Sequence, residues 1–407
     1  MSKKVKNKKK AIKEEFEIIF TMKEVIIIIV VSILFGVIIG GSVTYGKVKN
    51  SGDSYLDEFT STYYSIINNY YDKVSKKDLI NAAISGMVNS LDDPYSVYMD
   101  SGTTDSFNKE VEGSYVGIGA SVSVNEDNKL YVVSMFDDSP AKKAGLKVND
   151  IFYKIDGKLV SKLTLEELTN KITGKVGTKV KLVVIRDNKK INITITRGKV
   201  NLTSVTSKVI EQDNKKIGYI NISIFASNTY KQFKSNLVKL EKKKIDSLII
   251  DVRDNAGGHL DNATNILELF MKKGTILYQI ENKGVITKTK DTTKEKRDYK
   301  VVVLINNSSA SASELLAAAF KDDYSKATLV GKTTYGKGTV QYDQQLSSGA
   351  SFKYTTEKWL TPKGKSINKK GVTPDVEIEI GDNYANDKSD ANDQQLQKAI
   401  EILKESN

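Results

Sequence analysis

Between residues 200 and 380 short apolar runs alternate with amphipathic stretches long enough to be helices, and few folds satisfy that pattern. The runs KKIGYINIS, IDSLIIDV, VVVLI and ATLVG read as strands, and TYKQFKSNLVKLEKK, LDNATNILELFMKK and SASELLAAAFKD as helices. Strands that are apolar at almost every position are covered on both faces, which predicts a largely parallel sheet with helices packed over it. In such sheets ligands bind in the crevice beyond the C-terminal ends of the strands. The residues that follow each apolar run are therefore where chemistry is expected.

Composition removes several chemistries. Cysteine is absent, which excludes thiolate nucleophiles, disulfides and cysteine-ligated metals. His259 is the sole histidine, so one chain cannot supply a two-histidine metal site, and no cofactor is expected. The net charge of +12 invites a nucleic-acid reading. The lysines, however, are spread along the chain among acids, and no nucleic-acid partner is expected.

The one dense basic run has another explanation. Residues 1–13 carry seven lysines and no acid, and Val25 to Val43 is almost wholly apolar. That length suits a helix crossing a bilayer, and the lysine flank places residues 1–23 in the cytoplasm. The expectation is a basic tail at 1–23, an uncleaved signal anchor at 24–45 and everything after about Tyr45 outside the cytoplasm at the cell membrane. A cleaved signal peptide is the competing reading, but Ser42-Val43-Thr44 is a poor cleavage site.

Residues 50–104 read as a helical region. Leu56, Phe59, Tyr63, Tyr64, Ile66, Ile67 and Tyr70 recur at helical spacing, and a second pattern from Leu79 to Leu91 stops at Asp92-Asp93-Pro94, a turn signal. Both suit an amphipathic cap packed on a neighbour. Residues 105–199 are β-rich: YVGIGASVSV and KLYVVSMF are strands, and Ser139-Pro140-Ala141 opens a short helix ending at Gly145. Thr164 and Glu167 form a capping box for the helix LTLEELTNKIT. This order, with Gly117-Ile118-Gly119, Ser139 to Leu146, Asp150-Ile151 and Asp156-Gly157, resembles a PDZ domain. Such domains add a peptide's C-terminal strand to a sheet edge beside a nest of N–H groups. The resemblance makes Tyr115, Val116, Gly117, Ile118 and Gly119 the candidate carboxylate loop.

Three motifs follow the apolar strands of the 200–383 core. Asn306 to Glu314 (NNSSASASE) lies between a strand and a helix, where free helix N–H groups can bind an oxyanion and a serine is placed as a nucleophile. The same Ser311-x-x-Glu314 spacing is also a helix capping box. Gly331 to Gln341 (GKTTYGKGTVQ) sets Lys337 between glycines. A lysine made neutral by burial can serve as the base for a serine hydroxyl. A phosphate loop fails here, because Gly338 follows the lysine where Ser or Thr is required. Asp251 to Gly258 (DVRDNAGG) follows a buried strand, and its paired glycines either present N–H groups to an oxyanion or form a simple turn.

Together these motifs, with LDDPYSVYM at 91–99, the late TPKGKSINKKGVTPD and the PDZ-like unit, resemble the C-terminal processing peptidases, or tail-specific proteases. The resemblance implies an α/β fold in which a PDZ-like β-rich domain is inserted before an α/β protease core (200–383). The transmembrane helix and helical cap precede it, and a helical tail (384–407) follows. It implies peptide-bond hydrolysis through an acyl-enzyme without a metal. Ser311 would be the nucleophile, Lys337 the general base and Gln341 the residue that orients the lysine. The oxyanion hole would use Ala312 and either Gly257 or Gly258. Substrates would be proteins or peptides with free C-termini, and the helices at 53–91 and Gln394–Leu403 would pair two copies into a homodimer. Two departures stand out: KDDYSKATLVG is one residue longer than is common, and His259 occupies a place where an apolar residue is common. The rival readings are a catalytically inactive PDZ scaffold at the cell surface and an esterase on a related fold.

Overall fold

In the computed structural model of this chain the structure describes residues 54–136 and 138–405. The expected basic tail at 1–23 and membrane span at 24–45 lie outside the described residues. Among the described residues no helix is long and apolar enough to cross a membrane. The chain divides into two compact units, the first ending at Ala83 and the second beginning at Ile84. The first holds α1 (Ser54–Asn69) and the start of α2 (Lys76–Asn89). The helical spacing read from the sequence is realised in α1, but none of its residues is buried, and Tyr55, Leu56, Phe59 and Tyr64 are exposed.

In the second unit, β1 (Val97–Met99) and α3 (Ser101–Glu112) lead into the β-rich region. Its elements are β2 (Ser114–Gly117), β3 (Ala120–Val124), β4 (Leu130–Met135), α4 (Pro140–Lys143), β5 (Ile151–Ile155) and β6 (Lys158–Leu159). They continue with α5 (Leu165–Ile172), β7 (Lys179–Arg186), β8 (Lys189–Thr196) and β9 (Gly198–Asn201). One sheet runs β3-β4-β5-β7-β8, so β3 is an edge strand, and β2 pairs separately with β9. The expected single strand YVGIGASVSV is thus split. Gly119 turns left-handed (φ 76), and a side chain there would strike Ser139. The predicted capping box is present, with Thr164 and Glu167 capping each other, and Ser139, which opens the short helix as expected, also caps it by accepting from the N–H of Lys142. Ile118, Val132, Leu146, Phe152, Leu168, Leu182 and Ile195 form this unit's own core.

The remainder is built on a six-stranded sheet. Its elements are β10 (Val205–Gln212), β11 (Lys215–Ile222), α6 (Thr229–Lys242), β12 (Ser247–Asp251), α7 (Leu260–Leu267), β13 (Ile276–Asn282), β14 (Val285–Lys290) and β15 (Lys300–Ile305). Next come α8 (Ala312–Asp323), β16 (Ala327–Gly331), β17 (Thr339–Gln345), β18 (Ser351–Leu360), β19 (Val376–Glu377) and α9 (Gln394–Lys404). The sheet order is β10-β11-β12-β15-β16-β19, parallel from β11 onward as predicted, with an antiparallel hairpin at β10.

Alternate strand residues face opposite layers, as a period of two requires. Ile220, Leu248, Ile250, Val301 and Val303 pack under α6, α7 and α8 with Phe233, Leu237, Ile266 and Leu316. Ile217, Ile249, Val302, Leu304 and Val330 pack against Leu396, Ala399, Ile400 and Leu403 of α9. The C-terminal helix is therefore the second layer of the core. Buried Arg253 fastens it, pairing with Asp251 at 2.6 Å and with Asp393, the N-cap of α9, at 2.8 Å. A second sheet, which the sequence reading left unassigned, joins β1, β18, β13 and β14, with β17 added to β18.

Candidate active site

Register brings the three motifs together. Asp251 lies opposite Leu304, and Ile305 opposite Gly331, so β12, β15 and β16 end at the same level. The loops that leave those ends are 252–259, 306–311 and 332–338. Cross-bonds stitch them: Ala310 N–H donates to Asn255 O at 3.0 Å, Ser309 Oγ to Val252 O at 2.8 Å and Tyr335 N–H to Ser309 O at 3.0 Å.

Ser311 is the N-cap of α8 and takes a backbone conformation rare for a residue with a side chain, φ 55 and ψ −113. Strain of this kind persists only where surroundings over-determine it. Glu314, fully buried one turn into α8, provides the hold. Its Oε2 accepts the N–H of Ser311 at 2.8 Å and the N–H of Lys337 at 2.8 Å. Its Oε1 accepts the N–H of Gly336 and the hydroxyl of Thr334, each at 2.6 Å. The capping glutamate legible in the sequence therefore also binds the lysine loop, and the main chains of Ser311 and Lys337 meet on one oxygen. Burial pushes the Glu314 carboxyl up, and the Thr334 hydroxyl with the Gly336, Ser311 and Lys337 N–H groups pulls it back only in part.

Lys337 is largely buried, and burial pushes its ammonium below the ordinary value; the carboxylates of Asp93 and Glu314 oppose this without cancelling it. Its Nζ faces the ring of Tyr95 at 5.2 Å from the centroid. The glycine before it has a reason: Gly336 has φ 91, and a Cβ there would lie 2.9 Å from the N of Lys370, so only glycine lets the loop pass beneath that turn. Trp359 Nε1 donates to the Lys337 carbonyl at 2.9 Å from below. Gln341, at the start of β17, donates to Thr339 Oγ1 at 2.9 Å and Thr355 Oγ1 at 3.2 Å.

The glycine pair differs internally. The N–H of Gly257 donates to Asn255 Oδ1 at 2.8 Å. Gly257 has φ 104, and a Cβ on it would sit 2.8 Å from the Ser311 Cβ and 3.1 Å from the N of Ala312, filling the space before that amide. Ala312 N–H, in the first turn of α8, has no intrahelical acceptor. His259 caps α7, with its Nε2 3.3 Å from Ser227 Oγ. These groups line a cleft of about 800 Å³ with Ser311, Lys337, Gln341, Gly257, Gly258 and His259 on its walls. Its apolar side is formed by Val97, Met99, Phe107, Ile224 and Val340.

Comparison with known proteins places this arrangement. The model of peptidase family S41 matches residues 216–378, the PDZ domain model matches 116–196, and a model described as the activating protease CtpB N-terminal domain matches 41–103. The carboxy-terminal processing protease CtpA of Bacillus subtilis strain 168 is 39% identical over 357 residues, covering 87% of this chain and 76% of its own. CtpB of the same organism is 39% identical over 342 residues, covering 83% and 71%. A probable CtpA-like serine protease of Staphylococcus saprophyticus is 37% identical over 372 residues, covering 89% and 74%. The chain belongs to peptidase family S41. Within that family it is a serine-type carboxy-terminal processing peptidase carrying a PDZ domain.

The PDZ residues singled out from the sequence sit apart from the S41 cleft. Tyr115, Val116 and Gly117 lie in β2, and Ile118 and Gly119 form the buried link to β3. The carbonyls of Ile118 and Gly119 accept from Ala141 and Phe136. Burial raises the Tyr115 phenol above its ordinary value, against a hydrogen bond from the Gly119 backbone. Several polar groups that brace the loops around the S41 cleft carry no functional signal in the sequence. Thr334 and Asn255 brace the loops, and Asp93 and Thr355 bond to each other at 2.6 Å beside Gln341. Asp93 carries a turn signal, which hides any second role. Thr355 sits in β18, a strand that carries no chemical motif of its own.

Proposed function

We propose that this S41 peptidase works through Ser311 and Lys337, cutting unstructured protein segments near a free C-terminus. Lys337, its ammonium disfavoured by burial, in its neutral form takes the proton of Ser311 as Oγ attacks the scissile carbonyl, and returns it to the leaving amine. The amides of Ala312 and Gly258 receive the oxyanion; Gly258 is favoured over Gly257 because the Gly257 N–H is already given to Asn255. Gln341 orients the lysine from the neighbouring hairpin. The observation that carries this reading is the shared Glu314 oxygen, which ties the Ser311 and Lys337 main chains to one point. It also argues against an inactive scaffold, which has no use for a strained serine braced against a buried lysine.

The test is hydrolysis of an unstructured protein with a free C-terminus. Ser311→Ala and Lys337→Ala should each lose at least about a hundredfold in turnover, the scale of general-base and nucleophilic roles. Turnover above about a tenth of wild type in Lys337→Ala would reassign the base.

Around this centre the open edge of β3 beside α5 supports strand addition by a substrate's C-terminal residues, its carboxylate reaching the 115–119 loop. The lysine flank and the apolar run from Val25 to Val43 support a single-pass anchor with both domains outside the cytoplasm. The exposed Tyr55, Leu56, Phe59 and Tyr64 of α1 support pairing of two copies through the N-terminal helices. Residues Gln394–Leu403 are less suited to that role, since their apolar side is spent on the chain's own sheet.

A further inference from the structure

The turn Asp92-Asp93-Pro94-Tyr95-Ser96 ends α2 and then reaches the peptidase cleft. Asp93 Oδ1 accepts the N–H of Tyr95 at 3.1 Å. Its Oδ2 accepts the hydroxyls of Ser96 and Thr355, each at 2.6 Å. Thr355 stands directly opposite Gln341 in the β17–β18 ladder, and its Oγ1 accepts the Gln341 Nε2 at 3.2 Å. The N–H of Thr355 donates to Ser96 Oγ at 3.3 Å, closing the network. One short turn therefore grips the hairpin carrying Gln341 and presents Tyr95 to Lys337 Nζ. Burial pushes the Asp93 carboxyl up, but the hydroxyls of Ser96 and Thr355, the Tyr95 N–H and the nearby Lys337 more than offset it, leaving it below the ordinary carboxylate value.

The acylation step shows what such a carboxylate is needed for. Ser311 Oγ bonds to the carbonyl carbon, the carbonyl electron pair moves onto oxygen, and the hydroxyl proton passes to Lys337 Nζ. When the intermediate collapses, the C–N bond breaks and that proton leaves with the amine. Between these events a neutral lysine has become an ammonium in a site that burial makes unfavourable for charge. Of the carboxylates that act on it, Glu314 is committed to four donors. Lys353 lies close enough to oppose the new charge, and burial, with Lys337 beside it, brings its own ammonium down to about 8 against the pull of Asp343. Asp254, Asp343 and His259 line the same cleft. Asp93 is the carboxylate that touches both the hairpin of Gln341 and the field of Lys337.

Resting on the Ser311–Lys337 reading above, we propose that Asp93 is a positioning residue of the reaction, holding Gln341 through Thr355 and supplying the counter-charge for the Lys337 ammonium. The two functions separate by mutation. Asp93→Asn keeps one carbonyl acceptor but removes the charge, and Thr355→Val breaks the link while the charge stays.

The experiment measures kcat, KM and the pH profile of kcat/KM for the whole purified chain on one unstructured protein. Asp93→Asn should lower kcat about ten- to a hundredfold, the range set by a hydrogen bond to a charged group, with KM little changed. Its acid limb should move to lower pH by about half a unit or more, because removing a negative charge makes Lys337 easier to deprotonate. Thr355→Val should lower kcat without moving the limb, and Thr355→Ser should restore it. The double variant Asp93→Asn with Thr355→Val should lose less activity than the product of the two single fold-losses, as for groups on one path. A thermal melt accompanies each variant; if Asp93→Asn unfolds, the Thr355→Val and Thr355→Ser pair decides. Wild-type kcat in Asp93→Asn, an unmoved limb, or wild-type kcat in Thr355→Val overturns the proposal. Lys337→Ala in the same assay separates the two levels. Retained activity there sinks the Ser–Lys reading itself, whereas an inactive Lys337→Ala with an unmoved Asp93→Asn limb sinks only the role of Asp93.

Discussion

Replacing Glu314 with alanine tests whether one buried carboxylate holds the peptidase site together. The change leaves Ser311, Lys337 and Gln341 intact but strips the acceptor from four donors, the N–H groups of Ser311, Gly336 and Lys337 and the hydroxyl of Thr334. A buried donor left without a partner costs about 1–3 kcal/mol. Ser311 borders the cleft, so water reaches part of the vacated space, and the low end applies to each group. The four together give about 4 kcal/mol. At roughly 2–4 °C per kcal/mol for a domain of this size, the melting temperature should fall by about 8 °C or more. Ser313→Ala is the matched control. It removes a single hydrogen bond, from Ser313 Oγ to Asn255 O at 2.8 Å, and should cost only about 1 kcal/mol. Calorimetry on both variants, with turnover measured well below either melting temperature, gives the answer. Glu314→Ala should be inactive at temperatures where it is still folded, because neither the strained Ser311 backbone nor the Lys337 loop is braced. A melting temperature within about 2 °C of wild type, or preserved turnover, would refute the reasoning.

Two further outcomes are expected of the regions around the site. C-terminal amidation of a model substrate should weaken its binding substantially, since N–H groups at the 115–119 loop favour a carboxylate over a neutral amide; equal affinity of acid and amide in a calorimetric titration would remove the loop from recognition. Deleting Met1–Tyr45 should move the protein from the membrane to the soluble fraction while it keeps its peptidase activity and sediments as a dimer. Persistence in the membrane fraction would place the anchor elsewhere, and a monomer would end the pairing of N-terminal helices.

How much of this could be read from residues alone follows from what local patterns encode. The core strands were legible because both of their faces are buried, leaving apolar runs such as Leu248–Ile250 and Val301–Ile305. The cap at Thr164 was legible because capping is a contact over three residues. The nearness of Ser311 and Lys337 followed from both motifs leaving the same edge of a parallel sheet. The split of residues 115–124 was hidden, because β-propensity is continuous there and only the approach of Ser139 forces Gly119 to turn. The β17–β18 hairpin was hidden for the opposite reason: its outer strand is largely exposed and polar, and its role lies in side-chain bonds to distant Asp93. Glu314 was seen as half of a local cap, while three of its four donors come from a loop some twenty residues on. A C-terminal segment that read as a tail became a core layer once Leu396, Ala399, Ile400 and Leu403 met the sheet.

The central claim is that a neutral lysine, made so by burial, activates Ser311. The pH dependence of kcat/KM tests it most directly. A lysine free in water has a pKa of about 10.4, and burial of Lys337 displaces that value downward. The active form is the unprotonated one, so activity must rise as pH passes upward through the lowered pKa and level off before a free lysine would titrate. The measurement compares wild type with His259→Asn on a single unstructured substrate between about pH 5 and 10, the range over which a histidine and a displaced lysine would both show. The expected result is one ionisation on the rising limb, at the same pH and with the same plateau in both proteins, because the base is Lys337, while the His259 ring has Ser227 as its partner. A limb that disappears in His259→Asn along with most of the activity would move the base from Lys337 to His259 and contradict the account.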